Sequence, residues 1–131
     1  MLEAGDQLNK GLSKTLSLQG KCLHIVLEFA EGGDLQKQVN RQIAKKMYFS
    51  EKDVWTYAWQ MCMGVLHLHA RGVIHRDIKC MNILITGKDD IKLGDMSESR
   101  VLDHQSYIKT TKIIGTPLSL SPEVVKNEGY D

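Results

Sequence analysis

A chain of 131 residues, 42% apolar and 25% charged, has the profile of one globular domain and is too short for two ordinary ones. A formal net charge of +1 supplies no strong field for nucleic acid or an anionic membrane, so neither is an expected partner. No apolar run approaches the roughly 20 residues of a transmembrane helix, and the opening MLEAGDQLNKGLSK lacks the apolar centre of a signal peptide, which makes a cytoplasmic location the expectation.

In chain order, residues 1–21 form a poorly patterned N-terminal segment. A weak strand falls within LSKTLSL, 12–18, before a turn at Gln19–Gly20. CLHIVLEF, 22–29, is a short β-rich apolar run and predicts a buried strand. Gly32–Gly33 breaks it, and Asp34 is placed to cap a helix that starts at Leu35 and fades at Lys45–Lys46. Ser50 with Asp53 fits a capping box, and the helical period then runs from Glu51 to about Ala70. Val54, Ala58, Met61, Val65 and Leu68 make one apolar stripe; Trp55, Trp59, Cys62 and Leu66 make a second beside it. Such a helix is expected to be buried on several sides, with Trp55, Trp59, Met61 and Met63 as core. Cys62, His67 and His69 match no standard zinc spacing and read as core as well. The odd, scattered set Cys22, Cys62 and Cys80 fits a reducing compartment better than a disulfide framework.

Arg71–Gly72 closes the helix, Val73–His75 is a short strand, and 82–85 with 91–94 form a hairpin across TGKDD. The segment HRDIKCMN at 75–82 and the triplet Asp95-Met96-Ser97 follow in this order with Gly115-Thr116-Pro117 and Ser121-Pro122-Glu123. Together these resemble the C-lobe of a eukaryotic protein kinase of the serine/threonine type. IVLEFAEGGDL, 25–35, resembles the hinge region of NIMA-related (Nek) kinases in particular. The resemblance covers residues 22–131 and implies an α+β fold: a partial protein kinase domain with the hinge strand and a mainly helical portion of the C-lobe, lacking most of the N-lobe and the C-terminal helices.

The resemblance implies ATP- and Mg2+-dependent phosphorylation of serine or threonine in protein substrates. Phosphoryl transfer asks chiefly for positioning and charge neutralisation, since its transition state is loose. By resemblance Asp77 orients the substrate hydroxyl, Lys79 meets the transferred phosphoryl group, and Thr116 bonds within the catalytic loop. Asn82 and Asp95 would hold magnesium, which prefers hard oxygen donors. Leu27, Glu28, Ala30, Leu84 and Lys79 would contact the nucleotide. Arg76 would pair with an activation-segment phosphate, for which Thr110 and Thr111 are the candidates beside Lys112. Association with the cytoskeleton is a further implication.

The chain departs from the family pattern in three places. Asp95-Met96-Ser97 stands for Asp-Phe-Gly: Met96 can keep a packing role, and Ser97 would cost about 1–2 kcal/mol if its φ must be positive. Leu118-Ser119 replaces an aromatic pair that shapes the substrate-docking loop. Upstream of the hinge there is neither a G-x-G-x-x-G loop nor a V-A-I-K-like lysine, and the chain stops before the C-lobe's central helix. Catalysis by these 131 residues alone is therefore not expected, because the phosphate clamp supplies much of the positioning. A pseudokinase-like binding module and a truncated gene product stand as alternatives. Uncovered apolar surface on the long helix would call for a protein partner, and Glu123, if buried, would be an uncompensated carboxylate.

Overall fold

The computed structural model describes residues 13–19, 21–102, 114–128 and 130. Strands β1 (Ser13–Gln19) and β2 (Cys22–Leu27) form an antiparallel hairpin, paired from Gln19 with Cys22 to Ser13 with Leu27. The strand expected to be buried is not: Ile25, Val26 and Leu27 are all about half exposed. Successive strand side chains point to opposite faces, so the half exposure of both Val26 and its neighbours Ile25 and Leu27 leaves each face of β2 open to solvent in part.

The two glycines that follow do different things. Gly32 donates its N–H to the Ile85 carbonyl at 2.8 Å, and a Cβ there would lie 2.8 Å from Ile85 Cγ2. Gly33 has φ of 72°, a conformation open to glycine at little cost. The short strand β3 (Gly33–Asp34) leads into α1 (Leu35–Ala44), capped by Asp34, whose side chain accepts from Lys37 N at 2.8 Å.

Helix α2 (Glu51–His69) opens with the expected capping box: Ser50 Oγ accepts from Asp53 N at 3.1 Å, and Asp53 Oδ2 accepts from Ser50 N at 3.3 Å. Gly72, at φ 66°, releases the chain into β4 (Val73–Ile74), which pairs with β7 (Arg100–Val101). A 3-10 turn at Cys80–Asn82 precedes β5 (Ile83–Ile85), and β6 (Ile91–Leu93) returns antiparallel to it. These form a sheet in the order β3-β5-β6. A second 3-10 turn, Pro117–Ser119, and the one-turn helix α3 (Pro122–Val125) complete the described elements.

The β5–β6 hairpin is the organising element. Ile83, Ile85 and Ile91 are its buried side chains, packed with Leu93, with Leu35 from α1 and with Tyr57 and Met61 from α2. Leu84 and Lys92 are register partners on the opposite face. Gln60 ties helix to hairpin, its Oε1 accepting from Ile91 N at 2.6 Å.

The expectation of a helix buried on several sides is corrected. No residue of α2 is fully buried, and Trp55 and Trp59 are 68% and 66% exposed. The hairpin covers only the stripe carrying Tyr57 and Met61, and among the described residues nothing lies over the tryptophan stripe. Cys62 and His69 are exposed rather than core, and His67 is half-buried, with Arg71 Nη1 3.0 Å from its Nδ1. Among the described residues no helix is long and apolar enough to cross a membrane.

Candidate active site

The loop from β4 to β5 gathers the polar residues singled out above. Asp77 is 7% exposed. Its Oδ2 accepts from Lys79 Nζ at 2.6 Å and from Asn82 Nδ2 at 2.9 Å. Its Oδ1 accepts from Thr116 N at 3.1 Å and Thr116 Oγ1 at 2.9 Å. Lys79 Nζ also donates to Thr116 Oγ1 at 2.8 Å, so the hydroxyl accepts from the lysine while donating to the carboxylate. The Lys79 ammonium first, then the Thr116 hydroxyl and the Asn82 amide, hold the Asp77 carboxyl below the usual carboxylate range.

Thr116 reaches Asp77 from 39 residues away because Gly115 allows it. At φ 116° Gly115 presses against the loop, and a Cβ there would lie 2.9 Å from the Arg76 carbonyl oxygen. Any side chain would push Thr116 off the carboxylate.

His75, 2% exposed, is the joint between loop and hairpin. Its Nε2 lies 3.0 Å from the Gly94 carbonyl oxygen, and its Nδ1 lies 3.4 Å from Asp77 N. The tautomer protonated on Nε2 satisfies both contacts. Arg76 has φ of 66°, and its Nε donates to the Glu98 carbonyl.

Asn82 spends both amide hydrogens on Asp77, one on Oδ2 and one on the backbone carbonyl at 2.8 Å, which leaves its own Oδ1 to accept or to ligate. Gly94 N donates to the Asn82 carbonyl at 2.8 Å, so Asn82 and Asp95 lie at the same end of the hairpin. Asp95 itself has φ of 55° and an exposed carboxylate, held below its ordinary range first by the Ser97 hydroxyl and then by the Ser97 N–H. An amide oxygen and a carboxylate are hard donors of the kind that take a magnesium ion shared with phosphate oxygens. The residues present fit that ion.

The protein kinase domain model matches residues 13–131. This chain belongs to the protein kinase family. It is 40% identical over 109 residues to serine/threonine-protein kinase Nek1 of Mus musculus, and 41% identical over 110 residues to Nek5 of Homo sapiens. It is 35% identical over 115 residues to human Nek2, and each of these matches covers 83% of the chain. The chain spans 9%, 15% and 25% of the length of those relatives. The described residues form a partial kinase-like α+β arrangement, the class expected from the sequence.

Set in that family, the remaining residues fall as follows. Asp77, Lys79, Asn82 and Thr116 are brought into one cluster; Asp95 joins it through the hairpin. The hinge lies on the hairpin face that carries Leu84: Lys92, register partner of Leu84, reaches Glu28 Oε2 at 2.7 Å. Ala30 turns its carbonyl to Gly33 N at 3.1 Å, while Leu27 and Phe29 stand exposed. Thr110 and Thr111 lie outside the described residues.

Two expectations change. The left-handed residue of the Asp95-Met96-Ser97 triplet is Asp95, not Ser97, so the strain expected of a serine there does not arise. Glu123 is partly exposed, and the Ser121 hydroxyl holds its carboxyl below the ordinary range, so it is no uncompensated buried charge. Met96 and Leu118 are both exposed, Leu118 completely. The sequence reading missed two connections: the joint at His75 and the bond from Ser97 to Asp95. The second had a local signal, since Asp followed two residues later by Ser is the spacing of a side-chain-closed turn.

Proposed function

We propose that this chain carries the catalytic-loop portion of a protein serine/threonine kinase that uses ATP and Mg2+. The observation that carries the proposal is the Asp77–Lys79–Asn82–Thr116 cluster, in which every side chain contacts Asp77. Asp77, ionised and desolvated, accepts the hydrogen of a serine or threonine hydroxyl and aims its oxygen. With its basicity lowered by its donors it is a weak base, which suits a loose transition state in which the nucleophile needs orientation more than early deprotonation. Lys79 spends two of its three N–H donors inside the cluster, and the third suits an oxygen of the transferred phosphoryl group. Asn82 Oδ1 and the Asp95 carboxylate would hold magnesium. That ion, when bound, neutralises phosphate charge. Leu84 and the hinge residues Leu27, Glu28 and Ala30 would border the adenine.

The test is phosphate transfer from Mg·ATP to a serine/threonine peptide mixture by the full chain, compared with Asp77→Asn. Whatever transfer the wild-type chain supports should fall by about 100-fold or more in the variant, the scale of a positioned acid–base group. Unchanged transfer would remove Asp77 from this role. A non-catalytic protein-binding module is the second reading, favoured by the exposed Trp55 and Trp59. Under that reading Mg·ATP leaves the thermal midpoint unmoved, whereas the kinase reading requires a rise.

A further inference from the structure

In the family pattern the residue after the apolar member of the metal-binding triplet is glycine, which has no side chain to offer. Here it is Ser97, and it is not idle: Ser97 Oγ donates to Asp95 Oδ1 at 2.7 Å, and Ser97 N donates to the same oxygen at 3.3 Å. The hydroxyl bond is the shorter and the better formed. Both act on one oxygen, and among the described residues no hydrogen bond engages Asp95 Oδ2. The backbone of Asp95 is set independently, by its left-handed φ of 55° and by Gly94, which is fastened to Asn82 and His75.

We propose that Ser97 is a positioning residue for the metal-binding carboxylate. The backbone places Asp95, and the Ser97 hydroxyl fixes its remaining freedom, rotation about χ1 and χ2, leaving Oδ2 as the oxygen that meets a divalent cation. An exposed carboxylate that must choose among rotamers loses that freedom on ligation; one already held does not. Bonds from neighbours that orient a ligating group are typically worth 10–100-fold in metal affinity. The triplet that departs from the family pattern thus gains an orienting bond that a glycine could not provide. The inference rests on the metal-binding role given to Asp95 above.

The experiment is a titration of the full chain with Mn2+ in the presence of ADP, following free Mn2+ by its electron paramagnetic resonance signal. Wild type, Ser97→Ala, Ser97→Thr and Asp95→Asn are compared. Ser97→Ala should weaken Mn2+ binding about 10-fold or more, and Ser97→Thr, which keeps the hydroxyl, should restore most of it. Ser97 is exposed, so the alanine variant should keep the wild-type thermal midpoint. Ser97→Gly supplies a second hydroxyl-free chain. Equal or tighter Mn2+ binding by both hydroxyl-free variants overturns the proposal while leaving Asp95 as ligand. Wild-type binding no tighter than that of Asp95→Asn overturns the metal reading, and this inference with it.

Discussion

Asp77 illustrates how much one carboxylate can be constrained by its donors. Lys79, Asn82 and both donors of Thr116 bond its two oxygens, and its carboxyl is held below the ordinary range. Folding therefore favours the ionised form. The contribution is complete above the unfolded value of about 3.9 and is lost as pH falls through the lower folded value. Asp77→Asn should accordingly lose less of its thermal midpoint between about pH 5 and pH 3 than wild type does, measured by circular dichroism melts across that range. An equal loss would assign the acid limb to other groups. At this scale the residues of the cluster were legible from chain order and resemblance, because their chemistry is distinctive. The bond from Ser97 to Asp95 had only its local spacing as a signal, because the family pattern has nothing at that position to compare with it.

The elements were legible wherever their causes are local. Asp34, the Ser50–Asp53 box and Gly72 bound helices where the sequence placed them, since each acts within a single turn. Ser50→Ala should cost about 1 kcal/mol, read as a shift of the urea midpoint at constant slope; no shift would mean that this end of α2 frays in the native state. Burial was not legible in the same way. Apolar periodicity states which face a helix can bury, but the covering neighbour decides what is buried. The hairpin covers Tyr57 and Met61 and leaves Trp55 and Trp59 mostly in solvent, and β2 is apolar yet half exposed.

At the largest scale, the described residues combine a small core with a large apolar surface. Truncating a buried tryptophan costs about 3–5 kcal/mol, whereas these two, 68% and 66% exposed, should be nearly neutral. Trp55→Gln with Trp59→Gln should leave the urea midpoint within about 0.5 kcal/mol of wild type and reduce light scattering at high protein concentration. A loss of several kcal/mol would return both residues to a core. The hairpin carries one more consequence. Asn82 and Asp95 sit at the same end of it, spanned by the Gly94–Asn82 hydrogen bond of 2.8 Å. Like two teeth on a single jaw, they share every tilt of the hairpin. Rocking carries the two backbones together, so the separation of the two donor residues is a property of the hairpin, and the bonds from Ser97 have only to hold the Asp95 carboxylate within it.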